Sequence, residues 1–428
     1  MRVFYRRIKC VGKERIPNSD KLTILVANHQ NGMMDPFICC AFAPRQLHWL
    51  TRADIFRSTV ARKLLMHLNM LPVYRERDKV DDLHDRNAKV FSICYERMAQ
   101  GSIICMFPEG NHNHVKHLRP LKKGIARVAF GAWESTGKSR EVQVIPTGLE
   151  YSAFNKFRSN LLLNFGEPIS LTPFIEDYEK NPAIGMNRFI VEVRNRLKDQ
   201  MINIPTGDLY DFTEASRYIG TNIFLKKLEH KPGLYTEFLA YQAYTRFLSL
   251  SDKEDDEFAS TRKSFMAVHR QIEKLKIPTE YLEEAVSNAR SAVPYQIAMA
   301  LLFLPALLGI VVNGITGYLI HEFVKNKIKD VHFKSSIMFF AGIFTLPIMW
   351  VVLYLILGLV TQNWWLSLIA IPAGLISGWI SLIFHDFHLK AKTARWVRKG
   401  RSGKDALAES YLGIRQKVIA AITFQLNN

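Results

Sequence analysis

Residues 23–36 of the chain read TILVANHQNGMMDP, and this stretch decides the fold of the amino-terminal part. It begins with a short apolar, β-branched run at residues 23–27, which is typical of a buried strand. A turn carrying His29 follows, and Asp35 then starts the next segment, with Pro36 at a position favoured in the first turn of a helix. The stretch therefore predicts a strand that leads directly into a helix, with His29 and Asp35 facing each other across one turn.

Similar apolar runs follow at residues 102–107 (SIICMF), 142–149 (VQVIPTGL) and 161–165 (LLLNF), with helix-like segments at 83–100 and 121–134. Alternation of strands and helices predicts an α/β domain with a mixed sheet flanked by helices. The first three strand-like runs lead into His29, Glu109 and Pro146. Because sites in open α/β sheets form at the carboxyl ends of strands, we expect these residues to lie close together.

The charge balance indicates an anionic partner. Lys and Arg number 57 against 39 Asp and Glu, which gives a net charge of +18. Such an excess is typical of proteins that bind nucleic acid, anionic membrane lipids or phosphorylated substrates. The sequence has no zinc-finger spacing and no aromatic RNA-binding signature, so we expect anionic membrane lipids and no nucleic acid as partners.

The five cysteines favour a reduced, cytoplasmic environment for the amino-terminal domain. Their number is odd, they form no CxxC motif, and they all lie in the first quarter of the chain, which is unlike a disulfide framework. The amino terminus, MRVFYRRIKC, is basic and lacks an apolar run of signal-peptide length. We therefore expect no secretory signal and an amino-terminal domain on the cytoplasmic side of a membrane.

We expect four parts in the chain: an α/β domain at residues 1–175, a helical region at 176–293, a membrane region at 294–390 and a basic amphipathic cytoplasmic tail at 391–428. Residues 291–320 and 335–384 contain no Lys, Arg, Asp or Glu, and a spanning helix needs about 20 apolar residues. We expect membrane helices at 337–360 and 364–384, together with a re-entrant or spanning segment at 295–320.

The number of crossings is the open question in this region. Basic residues flank the two expected helices, which by the positive-inside rule places both ends of that hairpin in the cytoplasm. A third full crossing would then put the catalytic domain on the other side. Since Pro305 and Gly309 interrupt residues 295–320 near their middle, we expect this segment to return to the same side or to lie in the interface. Three plain crossings are the alternative.

His29 and Asp35 are the candidate catalytic residues. A hydroxyl that attacks a thioester needs a base, and histidine has a suitable pKa. A carboxylate on the other ring nitrogen would fix the tautomer and orientation of the imidazole. The ordinary alternative is that Asp35 only caps a helix.

Two further blocks carry candidate binding residues. Residues 107–110 (FPEG) end a predicted strand, so that Glu109 lies at the sheet edge and Gly110 allows close approach of the backbone. Residues 69–75 end in Arg75, whose guanidinium suits a phosphate group. A generic turn and a surface arginine are the respective alternatives.

Basic and turn residues complete the candidate set. Arg119 precedes a predicted helix that Lys122 and Lys123 begin, and the amino terminus of this helix could face an anion, although a solvated basic turn would look the same in the sequence. Residues 144–148 (VIPTG) are interpreted as the end of a strand that closes with a turn at Pro146, and an ordinary turn is again the alternative.

In this order, the four motif blocks resemble the PlsC-type glycerolipid acyltransferase family, which carries NH-x4-D, P-x-x-R, FPEG and V-x-P. The matching residues here are His29 with Asp35, Pro72 with Arg75, residues 107–110, and Val144 with Pro146. The resemblance covers residues 1–175. It implies a membrane-bound enzyme of phospholipid biosynthesis that moves a fatty acyl group from acyl-CoA or acyl carrier protein to 1-acylglycerol-3-phosphate or glycerol-3-phosphate. It also implies His29 as general base, Asp35 as its orienting partner, Glu109 as ligand of the acceptor hydroxyl and Arg75 as phosphate contact.

The chain departs from the family pattern at three points that leave the acceptor open. Asn69 stands where a glycine is common. Five residues instead of four separate His29 from Asp35, as in a branch that includes glycerol-3-phosphate and dihydroxyacetone-phosphate acyltransferases. The common FPEGTR reads FPEGNH, so His112 replaces an arginine whose charge Arg119, Lys122 or Lys123 can supply. A phospholipid transacylase, a lipid hydrolase, an enzyme for another hydroxyl-bearing lipid and a non-catalytic scaffold are the alternatives.

No cofactor or metal is expected for this reaction, because a thiolate is already a competent leaving group. His112, His114 and His117 lie close together in the sequence, and we interpret them as a polar loop over the site.

Overall fold

The computed structural model describes residues 1–250, 256–287 and 291–427. Residues 251–255 and 288–290 of the expected helical region, and Asn428 of the expected tail, lie outside the described residues. The chain divides into two compact units. The first contains Met1–Asn203 with Asp330–Ser336, and the second contains Ile204–Lys329 with Ile337–Asn428.

A single mixed sheet forms the centre of the first unit. Its strands are β1 (Arg7–Val11), β2 (Leu22–Ala27), β3 (Leu47–Arg52), β4 (Met70–Val73), β5 (Ile103–Met106), β6 (Val142–Tyr151), β7 (Asn160–Phe165) and β8 (Ile169–Ser170). The spatial order is β1-β7-β6-β2-β5-β3-β4, and β8 also pairs with β6. The pairs β6–β7 and β6–β8 are antiparallel and the other pairs are parallel. The predicted mixed α/β sheet is confirmed.

Helices cover this sheet, as the apolar pattern requires. They are α1 (Met34–Phe42), α2 (Thr59–His67), α3 (Leu83–Ala99), α4 (Gly124–Ser135), α5 (Ile175–Lys180) and α6 (Pro182–Gln200). Every residue of β2 is buried. In α6 the buried Phe189, Val193 and Leu197 recur at helical spacing and join the same core as β2. The first unit therefore extends to Asn203, whereas the sequence suggested a boundary at residue 175.

Pro146 corrects one expectation, because it does not close its strand. β6 continues to Tyr151, and Pro146 pairs with Val26 inside the sheet. Its carbonyl accepts the N–H of Gly166 at 2.8 Å, so this backbone edge faces the turn between β7 and β8. Its nitrogen faces the same side, just beyond the terminal β6–β7 pair of Thr147 with Phe165, so the missing donor lies at the end of that ladder.

The second unit is helical. Its helices are α7 (Tyr210–Ala215), α8 (Arg217–Lys227), α9 (Leu234–Leu250), α10 (Asp256–Lys274), α11 (Thr279–Ser287), α12 (Val293–Lys327), α13 (Val331–Thr361), α14 (Trp364–Arg401) and α15 (Ala406–Asn427), where the first residues of α13 belong to the first unit. Among the described residues, α12, α13 and α14 are long and apolar enough to cross a membrane, with mean hydropathies of 2.3, 2.5 and 2.0. These helices indicate association with a membrane.

The expected break in residues 295–320 is absent, because α12 continues through Pro305 and Gly309 as one helix. A Cβ atom at Gly309 would lie 2.1 Å from the carbonyl oxygen of Ser377 in α14. The glycine therefore serves close packing of two helices, as small residues do in membrane proteins. A turn back in the middle of this segment is thus wrong, while a spanning or interfacial position stays a prediction.

Ion pairs join the two flanks of the apolar helices within the second unit. Glu283 of α11 binds Arg415 of α15, with Oε2 and Nη2 2.6 Å apart, and Glu284 binds Lys390 of α14 at 2.9 Å. In agreement with these pairs, α12 runs antiparallel to the later part of α14. The rings of Tyr295 and Phe387 lie 6.2 Å apart, and Asn313 donates to the carbonyl of Gly374 at 3.2 Å.

Candidate active site

The loop after β2 is fixed at its first residue. Asn28 donates from Nδ2 to the carbonyl of Leu149 at 3.0 Å and accepts the N–H of Leu149 at 2.7 Å. This paired contact binds the end of β2 to β6 and determines where His29 enters the loop. The sequence analysis did not single out Asn28, although it directly precedes His29.

His29 and Asp35 lie in direct contact, as the sequence predicted. Nδ1 of His29 is 2.8 Å from Oδ2 of Asp35, whose side chain is 0% exposed. The same oxygen accepts the backbone N–H groups of Gln30 and Asn31 at 2.8 and 2.7 Å. A carboxylate that accepts these hydrogen bonds fixes the proton of His29 on Nδ1 and leaves the lone pair on Nε2. Asp35 thus orients the imidazole of His29, and the N-cap position of α1 is occupied by Met33 instead.

Tyr151 is a member of this site that the sequence analysis missed. Its hydroxyl donates to Oδ1 of Asp35 at 2.5 Å. Burial, followed by the negative charge of Asp35, raises the pKa of Tyr151 well above its usual value, so the phenol stays a donor. The same two causes raise the pKa of the neighbouring buried Tyr5. The available signal was the position of Tyr151 near the motif proline, which we interpreted as a strand end.

Glu109 connects the His29 loop to the FPEG loop. Its Oε1 accepts the backbone N–H of His29 at 3.2 Å, and its Oε2 accepts from Nε of Arg119 at 2.9 Å. Arg119 also donates to the carbonyl of Asn111. The carboxylate is almost fully buried, at 4% side-chain exposure. The contacts in this structure are therefore those of a residue that holds two loops and one arginine together.

Gly110, Lys122, Lys123 and Pro146 are the other predicted binding residues, and they lie in different surroundings. Gly110 has a φ of +77°, which favours glycine, and a Cβ there would contact the side chain of Lys122 at 3.6 Å. Lys122 donates its backbone N–H to Pro108 at 2.8 Å. Lys123 is exposed at the N-cap of α4. Pro146 is buried inside β6 and does not reach the strand ends with the others.

Two rings flank the imidazole of His29. Phe107 stacks on it with ring centroids 4.3 Å apart, and His112 meets it edge-on at 5.6 Å. Burial, followed by the nearby His29 and His332, lowers the pKa of His112. His112 is therefore held neutral more readily than an exposed histidine.

Arg75 lies in a separate basic cavity. The cavity has a volume of about 540 Å³, and its charged lining consists of Arg52, Asp54, Arg57, Arg75, Arg77 and Asp78. Nη2 of Arg75 is 2.8 Å from Oδ1 of Asp78 and 3.6 Å from Oδ2 of Asp54. The hydrogen bond from Arg75 lowers the pKa of the Asp78 carboxyl below its usual value. Nη2 of Arg77 lies 3.2 Å from the side-chain oxygen of Asn111, directly after the FPEG motif.

Residues far along the chain also reach the His29 loop. Ser335 donates to the side-chain oxygen of Asn31 at 2.7 Å, and Nδ1 of His332 lies 3.0 Å from the carbonyl of Gln30. A Cβ at Gly32 would lie 2.7 Å from the carbonyl oxygen of His332. The segment Asp330–Ser336 therefore packs closely on the loop, which the sequence gave no reason to expect.

This geometry agrees with a comparison to known families, in which residues 7–150 match the family model described as Acyltransferase. Residues 7–150 therefore form an acyltransferase domain. The acyltransferase domain is also similar to individual proteins. The chain is 29% identical over 34% of its length to a glycerol-3-phosphate O-acyltransferase 2 of Saccharomyces cerevisiae. It is 22% identical over 58% of its length to glycerol-3-phosphate O-acyltransferase 1 of the same yeast.

A bacterial protein shows a similar level of likeness to the acyltransferase domain and the residues around it. The chain is 25% identical over 42% of its length to a 1-acyl-sn-glycerol-3-phosphate acyltransferase of Streptococcus pneumoniae, of which it covers 62%. It covers only 19% and 33% of the two yeast relatives. The chain thus spans less than two thirds of the length of each of these relatives.

Proposed function

We propose that the protein is a membrane-bound glycerolipid acyltransferase of phospholipid synthesis. The observation that carries the proposal is the 2.8 Å contact between Nδ1 of His29 and the buried carboxylate of Asp35. This contact leaves Nε2 of His29 to take the proton of an acceptor hydroxyl. The hydroxyl oxygen attacks the thioester carbonyl, the carbon–sulfur bond breaks, and the thiolate leaves.

The acceptor in this proposal is glycerol-3-phosphate or 1-acylglycerol-3-phosphate. The arginine-lined cavity supports a phosphorylated acceptor, because four arginines face only two aspartates there and guanidinium groups bind phosphate oxygens in a bidentate manner. Arg77 connects this cavity to the FPEG loop through Asn111. The names of the similar proteins, which cover both acceptors, also support this substrate class.

The predicted binding residues divide into two roles. Arg75 is the phosphate contact, together with the other arginines of its cavity. Glu109 and Gly110 shape the loop beside His29. Because a carboxylate oxygen accepts more than one hydrogen bond, Oε1 of Glu109 can bind the acceptor hydroxyl while it holds the backbone of His29. Arg119, Lys122 and Lys123 supply positive charge along the acceptor side of this loop.

The acyl donor is acyl-CoA or acyl carrier protein, and the enzyme works at an anionic membrane surface. The net charge of +18 supports attraction to such a surface. The ion pairs of Glu283 and Glu284 support a topology in which residues before α12 and after α14 share one side of the membrane. An even number of crossings, with the catalytic domain in the cytoplasm, satisfies this arrangement.

Product analysis tests the proposed function. Purified full-length protein in phospholipid micelles is given acyl-CoA or acyl carrier protein thioester, with each acceptor in a separate reaction, and lipids are identified by mass spectrometry. We expect lysophosphatidate from glycerol-3-phosphate or phosphatidate from 1-acylglycerol-3-phosphate, and neither product with His29→Ala. Products that take their acyl chain from phospholipid while the thioester is untouched would identify a transacylase and contradict the proposal.

A further inference from the structure

Among the described residues, three side chains that commonly bind metals meet beside His29. His112 follows the FPEG motif, while Asp330 and His332 belong to the segment Asp330–Ser336. One ring nitrogen of each histidine and one carboxylate oxygen of Asp330 lie within 4.8 Å of one another. Nε2 of His112 is 3.6 Å from Oδ2 of Asp330, and the two imidazole rings lie 4.4 Å apart. The reaction proposed above uses none of these three groups.

The hydrogen bonds around the cluster prepare two of its members for metal binding. The carbonyl of Gln30 can only accept, so Nδ1 of His332 carries a hydrogen and Nε2 carries the lone pair. A second-shell bond from the other ring nitrogen to a carbonyl is the arrangement that orients metal-binding histidines. Oδ1 of Asp330 accepts the N–H of His332 at 2.9 Å. This bond fixes the carboxylate with Oδ2 towards His112.

We propose that His112, Asp330 and His332 form a site for one divalent transition-metal ion of the zinc class. Two imidazoles and a carboxylate suit zinc and cobalt(II). Ligand atoms at 2.0–2.2 Å around a tetrahedral ion lie roughly 3.3–3.6 Å apart, which is the spacing already found between His112 and Asp330. The ligand atom of His332 lies within 4.8 Å of the other two, so a small side-chain rotation brings it to this spacing.

A bound ion has two consequences for the loop. It joins the residue after the FPEG motif to the segment Asp330–Ser336, and three protein ligands leave a fourth position for water or an anionic oxygen. It also adds a positive charge beside His112, which stands where the FPEGTR pattern has an arginine. An ion pair between His112 and Asp330 alone explains neither the position of His332 nor its hydrogen bond to Gln30.

Metal titration of the full-length protein without a polyhistidine tag tests the site. We expect one tightly bound Zn²⁺ per chain in equilibrium dialysis, and visible d–d absorption bands when Co²⁺ takes its place. His112→Ala, Asp330→Asn and His332→Ala should each weaken binding at least tenfold. His114→Ala changes the same loop and keeps the three ligands, so it should bind as the wild type does.

Two results would overturn this assignment. One is a wild-type protein that is folded by circular dichroism and binds no stoichiometric ion. The other is a lack of selectivity among the variants. Asp330→Asn would then bind Zn²⁺ as tightly as His114→Ala and the wild type do, or His114→Ala would lose as much Zn²⁺ affinity as His112→Ala and His332→Ala. Asp330→Asn preserves the size of its side chain, so it keeps the test informative if a histidine variant fails to fold. Bound metal is measured independently of acyl transfer, so failure of the proposed function would not affect the result.

Discussion

The hydroxyl of Tyr151 donates to Oδ1 of Asp35 at 2.5 Å, while Oδ2 of the same carboxylate binds Nδ1 of His29 at 2.8 Å. The carboxylate is therefore held from both sides, by Tyr151 at the end of β6 and by His29 in the loop after β2. Since Asp35 is fully buried, each of these hydrogen bonds compensates for water that the carboxylate has lost. The orientation of His29 depends on this chain of contacts.

Removal of the Tyr151 hydroxyl should weaken both catalysis and stability. Tyr151→Phe deletes one hydrogen bond to a buried charge, which costs about 1.5–3 kcal/mol of unfolding free energy. We expect kcat to fall about tenfold and the KM for the acyl donor to stay unchanged. Steady-state kinetics and thermal unfolding of both proteins measure this. An unchanged kcat would show that Oδ1 of Asp35 needs no partner for catalysis.

The stability difference between these two proteins should also depend on pH. The folded state raises the pKa of Tyr151 above its usual value near 10, so the wild type binds this proton more tightly when folded. Its contribution is fully present below about pH 10 and is lost as the pH rises further. The advantage of the wild type in Tm should thus be constant from pH 7 to 9 and shrink at pH 11. A constant difference over the whole range would contradict the buried position of the phenol.

Glu109→Gln distinguishes a positioning role from direct binding of the acceptor. The carboxylate of Glu109 holds the backbone of His29 and the guanidinium of Arg119. The substitution should therefore lower Tm and kcat and raise the KM for the acceptor together. The exposed Glu176→Gln serves as control and should change none of these. A higher KM for the acceptor with unchanged Tm and kcat would identify Glu109 as an acceptor ligand alone.

The arginine cavity should determine affinity for the phosphorylated acceptor. Arg77→Ala removes a charge without exposing a buried partner, in contrast to Arg75, which pairs with Asp78. We expect the KM for the acceptor to rise about tenfold with little change in kcat, and the effect to shrink in high salt. Arg62→Ala, an exposed arginine of α2 outside the cavity, should behave as the wild type. Equal KM values for the two variants would place the phosphate elsewhere.

Cysteine labelling in sealed vesicles tests the topology. In a background with Cys10→Ser and Cys40→Ser, an impermeant maleimide should label Ser287→Cys and Ser402→Cys from the same side, because the ion pairs of Glu283 and Glu284 join these flanks. Gln362→Cys, between α13 and α14, should be labelled only from the other side. Labelling of the first two positions from opposite sides would require an odd number of crossings.

The sequence predicted the order of strands and helices around the site because each element carries its own pattern. The apolar run before His29 and the helix that starts near Asp35 became β2 and α1. Asn69, which stands where a glycine is common in the family, has a φ of +60°. Asparagine tolerates this left-handed conformation better than most residues. The backbone conformation at this position therefore explains why asparagine can replace glycine here.

The parts of the site that the sequence could not predict depend on contacts between distant residues. Local rules interpret a proline as the end of a strand, and they could not show that β6 continues from Pro146 to Tyr151 and delivers a hydroxyl to Asp35. Ser335 and His332 contact Asn31 and Gln30 from about three hundred residues away along the chain. One sequence contains no local signal for such a contact.

The most direct test of the account is acceptor-dependent thiol release by the wild type, His29→Ala and Asp35→Asn, measured with glycerol-3-phosphate and 1-acylglycerol-3-phosphate in parallel. Asp35→Asn keeps the shape of the side chain and removes the charge that sets the tautomer of His29, so its kcat should fall about 10³–10⁴-fold. His29→Ala should release no thiol above the acceptor-free background. Acceptor-dependent release by His29→Ala at the wild-type rate would contradict the assignment of His29 as the catalytic base.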